Sequence, residues 1–245
     1  MYDLAERLFP ICRSITGNGF RQSLEIIREI LPEIQVTEVP SGTQVFDWTV
    51  PKEWNIRGGW IKRKSGETVV DFKDSNLHVM GYSLPVHMTV SREELLEHVY
   101  TIPEQPEWIP YVTSYYKERW GFCMSDKQKQ ILTDDEYEVL IDSTLEDGSL
   151  TYGELVLPGD TQDEILITTY LCHPSMANDE LSGPCVQTEL VKYLKSLPQR
   201  RYTYRFIWNP ETIGSITYLS RNLQTLQEHV KAGFVLSCVG DNRTY

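Results

Sequence analysis

Between Asp163 and Gly240 the chain runs strand, helix, strand, helix, strand, and that order restricts its fold more than any other feature. Glu164-Ile-Leu-Ile-Thr-Thr-Tyr-Leu171 is a nearly unbroken apolar run, as expected for a strand buried on both faces. The spacing that follows predicts a helix over 183–197, a strand over 202–208, a helix over 212–230 and a strand over 234–239. This succession predicts an α/β domain: a mostly parallel sheet with helices on both faces.

The chain before Asp163 is less uniform. Leu24, Ile27 and Leu31 recur at helical spacing until Pro32, so the first forty residues read as helical. From Ser41 onward, short runs such as Val69-Val70 are broken by Gly58, Gly59 and Gly66 and read as β-strands. Ser91-Arg-Glu-Glu94 opens a short helix as a capping box. Asp147-Gly148 reads as a hairpin turn joining strands over 136–143 and 150–157. The expected organisation is an α/β domain made of residues 1–40 and 134–245, with a small β-rich domain inserted at 41–133.

Charge and composition narrow the partners. The 245 residues carry 23 Lys and Arg against 35 Asp and Glu, a formal net charge of −12. No net positive field attracts phosphate, so nucleic acid is excluded as a partner; peptides, sugars, small molecules and metal cations remain. No apolar run approaches the roughly 20 residues that cross a bilayer, so no membrane is expected. The first ten residues lack the charged head and apolar stretch of a signal peptide. Five cysteines without a C-x-x-C pair read as reduced thiols in a cytoplasmic protein.

Ligands of open α/β sheets bind at the carboxyl ends of the strands. There the sequence places His173 after Tyr170-Leu171-Cys172, Glu211 after Trp208-Asn209-Pro210, and Asp241 after Val239-Gly240. Asp179 lies in the loop that follows His173. One imidazole with several carboxylates is a donor set suited to zinc or a similar divalent ion. Strand-end loops are polar in any case, so the weight rests on all four together.

These segments resemble the zinc aminopeptidases of peptidase family 28. The resemblance is carried by Ser149–Gly159 with Asp163–His173, by Asp179-Glu-Leu-Ser-Gly183, which matches the family's D-x-x-S-G segment, and by Arg205–Ser215. It is nearest to an uncharacterised branch with an inserted β domain associated with polysaccharide biosynthesis clusters; its marks here are Cys172-His-Pro-Ser-Met176, Pro210-Glu-Thr-Ile-Gly-Ser215 and Cys238-Val-Gly-Asp-Asn-Arg243. The resemblance implies a three-layer phosphorylase/hydrolase-like sheet domain. It also implies a metal-dependent hydrolase of a small peptide or amide substrate, with zinc-activated water as nucleophile. In that reading Glu211 is the general base, while His173, Asp179 and Asp241 hold the metal, with Asp179 the bridge if a second ion binds.

The departures from the family qualify this. The family's aspartate two residues after its first histidine, which orients the imidazole, is replaced by Ser175. Its glutamate pair is reduced to Pro210-Glu211, and its aligned ligand near the next strand end is Ser237, with Asp241 standing in from four residues later. Its last metal-binding histidine falls beyond Tyr245. One zinc is therefore expected rather than two, and this chain is expected to be C-terminally incomplete, holding the ion partially or not at all and inactive as a peptidase. An uncovered edge near Phe234 to Val239 leaves homo-oligomerisation open.

A rival from another class is a non-catalytic glycan- or peptide-binding protein on a degraded aminopeptidase scaffold. Trp48, Trp54 and Trp60 would offer it stacking rings, although core packing is the plainer reading. His78 and His87 read as hydrogen-bonded loop residues. A Cys172–His173 nucleophile pair is rejected, because strand neighbours face opposite sides.

Overall fold

The computed structural model describes residues 1–242. They divide into two compact units, one formed by Met1–Glu53 with the chain from Asp147 on, the other by Trp54–Glu146.

The first unit is built on a five-stranded sheet in the order Gln35–Pro40, Ser149–Leu157, Thr203–Asn209, Glu164–Tyr170, Val230–Val235. The last three strands are mutually parallel, as the alternation with helices predicts, and Ile167 stands opposite both Phe206 and Phe234. The sheet is nevertheless mixed, since Ser149–Leu157 pairs antiparallel with both of its neighbours. Gln35–Pro40, expected to be helical, is an edge strand with only Val39 buried, so it carries little apolar periodicity to read.

Alternation along Thr203–Asn209 sends side chains to both faces. Phe206 and Trp208 enter a core with Leu4, Leu8, Phe20, Leu24, Leu181 and Val191, from the helices Tyr2–Leu8, Asn18–Arg28 and Ser182–Ser196 and the turn before the last. Each such fully buried side chain contributes about 1.5–3 kcal/mol of burial free energy. On the other face Arg205 meets Tyr218 of the helix Ile213–His229. Helices on both faces of one sheet make three layers.

Asp147-Gly148 is not a hairpin turn. Glu136–Glu146 belongs to a four-stranded sheet with Thr68–Asp71, Glu53–Arg63 and Val86–Ser91, whereas Ser149–Leu157 belongs to the five-stranded sheet. Glycine is required at position 148 for a different reason: a Cβ there would stand 2.5 Å from Glu53 Cβ. Glu53 Oε2 in turn accepts from the Ser149 amide at 3.0 Å.

The second unit packs its sheet on Ile61, Val70, Phe122, Tyr137 and Val139. Ser91 caps the short helix Arg92–Glu97, accepting from the Glu94 amide at 3.2 Å. Trp54 is buried, stacks on Tyr82 and donates Nε1 to the Ser83 carbonyl, so the three tryptophans do not form one exposed platform. His78 and His87 are hydrogen-bonded, to the Cys123 carbonyl and to Glu138. Among the described residues, no helix is long and apolar enough to cross a membrane.

Candidate metal centre

Two adjacent parallel strands bring the site together. Glu164–Tyr170 runs out into Leu171, whose amide still bonds the Asn209 carbonyl at 3.0 Å, and then into the buried pair Cys172 and His173. The chain reverses at Ser175, held at φ 48°, and enters a π-helical turn, Ala177–Leu181, in which the Leu181 amide reaches back to the Met176 carbonyl. A π-turn adds one residue to a helical revolution and recurs at functional sites. Here it precedes Ser182–Ser196 and turns two successive acids toward the strand end.

Those acids divide the work. Glu180, fully buried, places Oε2 2.5 Å from His173 Nδ1. Asp179 Oδ1 accepts a hydrogen bond from the Tyr170 hydroxyl, which also lies 2.5 Å from Ser237 Oγ. From the neighbouring strand, Glu211 Oε1 stands 3.1 Å from His173 Nε2. The Glu211 amide donates to Cys172 Sγ at 3.2 Å, and Thr212 at φ 47° turns the chain into the next helix.

Of the four residues expected to form the site, Asp179 and Glu211 each come close to His173, but in different groups. His173, Asp179 and Glu180 offer ligand atoms within 4.8 Å of one another, and so do Cys172, His173 and Glu211. Asp241 is in neither group. The last strand ends at Val235, earlier than the expected Val239, and Cys238 at φ 52° turns the chain so that Gly240 bonds Asn178 Oδ1. Asp241 therefore lines a separate pocket of about 980 Å³ with Met1, Phe9, Leu181 and Val239. Ser237, the position aligned with the family's ligand, is the residue that comes beside Asp179, through Tyr170.

The orienting carboxylate missing at position 175 is supplied by Glu180. Sequence reading passed over it because it follows the more conspicuous Asp179 inside D-x-x-S-G. Burial alone would lower the affinity of His173 for a proton, but contacts with Cys172, Glu180 and Glu211 outweigh it and hold the imidazole well above the ordinary histidine range. Contrary to the alternation expected of strand neighbours, Cys172 Sγ lies 3.6 Å from His173 Nδ1, while burial pushes the thiol up to about 12.

The donor set fits a zinc-type ion. A carboxylate on Nδ1 is the arrangement that fixes a metal-binding histidine and leaves Nε2 to the ion. His173 and Asp179 offer one nitrogen and one carboxylate, donor types that zinc takes, and Glu211 faces the same imidazole.

The family model described as "Domain of unknown function (DUF4910)" matches residues 2–245. The chain belongs to the DUF4910 family. A relative from Clostridium acetobutylicum, a polysaccharide biosynthesis protein with an aminopeptidase-like domain, is 56% identical over 241 residues, which is 98% of this chain and 55% of the relative. The chain thus spans about half the length of the curated relative it matches. A crystal structure of a peptidase from Clostridium acetobutylicum superposes with a TM-score of 0.95 at 56% identity, covering 98% of this chain and 56% of that one. BSAP, a zinc aminopeptidase from Bacillus subtilis, gives a TM-score of 0.62 at 12% identity over 97% of this chain and 68% of its own. A peptidase M28 precursor from Shewanella amazonensis gives 0.61 at 12% identity over 94% and 69%. This DUF4910 chain therefore has the aminopeptidase fold.

Proposed function

We propose that this protein is a metal-dependent hydrolase of amide bonds, of the aminopeptidase type. The observation that carries the reading is the His173 imidazole, held through Nδ1 by a buried carboxylate and turned with Nε2 toward Glu211. His173 and Asp179 would hold one divalent ion, with Glu211 beside them. Such an ion supplies Lewis acidity, polarising an amide carbonyl and acidifying water.

The chain's own residues do the rest. Glu211, about one-third exposed, reaches both solvent and the His173 ring. It takes the proton of the attacking water and returns it to the leaving amine, as a general base and then acid. The Tyr170 hydroxyl fixes the direction of the Asp179 carboxylate. The Clostridium relative is named for polysaccharide biosynthesis, which supports including N-acylated amino sugars in the substrate panel with aminoacyl anilides. Five free cysteines suit a reducing compartment, and we place the protein in the cytoplasm.

The test is zinc binding and amide turnover by the wild type and Glu211→Gln. Turnover lost with zinc retained identifies Glu211 as the base, and loss of both makes it a ligand. A wild type that binds no divalent ion and turns over no amide, yet holds a glycan or peptide, favours the binding protein instead.

A further inference from the structure

The loop between the first two helices is unusual for a connection, because it is buried and polar. Arg13, Ser14 and Thr16 are each at most 4% exposed. Loops normally run over the surface, and arginine is almost never fully buried without a partner. The loop is pinned: a Cβ on Gly19 would stand 2.0 Å from the Cys12 carbonyl oxygen, and Gly17 sits at φ 92°.

Arg13 is aimed at the candidate centre. Its Nε donates to the backbone carbonyl of His173 at 3.0 Å, and its Nη1 donates to the Leu8 carbonyl at 2.5 Å. Among the described residues its Nη2 makes no hydrogen bond, and neither does Oε1 of Glu180. Both groups are buried, and each feels the other's charge: burial weakens the Arg13 charge and the Glu180 carboxylate restores part of it. A purely structural arginine in this loop would need only the two backbone carbonyls. Of the charges that act on it, the largest is that of Glu180, the carboxyl group that holds His173.

We propose that Arg13 is a positioning residue for the His173 imidazole. Its guanidinium fixes the His173 backbone carbonyl, and this directs Nε2 toward a divalent cation. The inference rests on the hydrolase reading only for what Nε2 binds; the placing of the ring stands without it. Removing the guanidinium releases the His173 carbonyl and takes away one of the positive charges acting on Glu180. Lysine keeps the charge but lacks the fork that reaches two carbonyls at once.

The experiment uses the purified protein with Arg13→Met, Arg13→Lys, Glu180→Gln and the double variant Arg13→Met/Glu180→Gln. Zinc affinity is read by chelator competition, and the His173 Nδ1–H proton by NMR on the metal-free protein, assigned through His173→Ala. Arg13→Met is expected to weaken zinc binding by about 10–100-fold, the range for residues that support a ligand, and Arg13→Lys by less. The Nδ1–H signal should move or vanish in Arg13→Met and persist in Arg13→Lys. The double variant should lose no more affinity than the worse single one, because the two residues act through one ring. If Arg13→Met proves too unstable to purify, Arg13→Lys compared with the double variant carries the same test. Unchanged affinity and an unchanged Nδ1–H signal in a folded Arg13 variant overturn the proposal, as does strict additivity with Glu180→Gln. A wild type that binds no zinc, but whose Nδ1–H signal depends on Arg13, overturns the hydrolase reading and leaves Arg13 as the positioning residue.

Discussion

His173 and Glu180 are seven residues apart, and the π-turn between them brings Nδ1 and Oε2 to 2.5 Å in a fully buried contact. The carboxylate that orients the ring therefore comes from the far side of the loop, not from position 175. Ser175 Oγ instead donates to the Phe9 carbonyl at 3.3 Å. Glu180→Gln keeps the shape and removes the charge, and it should weaken zinc binding by about 10–100-fold. Ser175→Ala should leave it unchanged. Chelator competition on both variants decides, and the reverse order of effects would return the orienting role to position 175.

The opposite face of the sheet holds an ionic cluster with no part in the site. Arg205 makes a two-pronged contact with Glu164, at 2.6 and 2.8 Å, and a third bond to Glu154 at 2.9 Å; Glu154 also accepts from the Tyr218 hydroxyl. The cluster ties three neighbouring strands to the helix Ile213–His229. Arg205→Met strands two carboxylates with little access to water and should cost about 3–5 kcal/mol. Urea unfolding measures this, and zinc affinity of the folded fraction should not change. A loss below about 1 kcal/mol would mean that solvent reaches Glu154 and Glu164 well enough to replace the arginine.

The legible parts of the fold were those with a strong periodic signal. Glu164–Tyr170 declared itself by an apolar run that only a central strand tolerates, and Ser182–Ser196 and Ile213–His229 by their helical spacing. Gln35–Pro40 was hidden because an edge strand that buries only Val39 leaves almost no pattern. Gly148 misled because the requirement for glycine came from the approach of Glu53, not from a turn between paired strands. His173, Asp179 and Glu211 could be found because strand ends collect ligands in such sheets. Asp241 was placed by distance along the chain, which takes no account of the turn at Cys238. Arg13 had no local signal for the site, since besides the nearby Leu8 carbonyl it bonds the carbonyl of His173, 160 positions away.

Gly183, the last residue of the D-x-x-S-G segment, is fixed by what crosses it. A Cβ there would lie 2.3 Å from the Leu236 carbonyl oxygen and 2.2 Å from Thr169 Oγ1. Thr169 Oγ1 already donates to that carbonyl at 2.9 Å, so the first turn of Ser182–Ser196 is locked against the two strand ends. Gly183→Ala must push the helix away from the backbone, and overpacking of this kind costs about 1–3 kcal/mol. The displaced turn carries Asp179 and Glu180 with it, so zinc affinity should fall as well as the melting temperature. Gly42→Ala is the control, with nothing within 4 Å of its Cβ but a φ of 80°. It should lower stability through backbone strain alone and leave zinc affinity untouched.

The second unit carries its own acid sensitivity in His78. The ring is buried and its Nδ1 donates to the Cys123 carbonyl at 2.7 Å. Burial lowers its proton affinity, and this outweighs that hydrogen bond and the charges of Asp74 and Asp71, which act the other way. In the unfolded chain the imidazole titrates near about 6.5. Between that value and the lower native one, the unfolded state binds a proton that the native state does not, so stability rises with pH there. His78 should therefore be neutral in effect above about pH 7.5 and should remove stability as the pH falls through about 6.5, by at most about 1.4 kcal/mol per pH unit. His78→Gln loses this slope, whatever its stability at neutral pH. Urea midpoints for both proteins from pH 7.5 to 5.5 measure the difference, and parallel curves would show that the native ring takes up its proton as readily as the unfolded one.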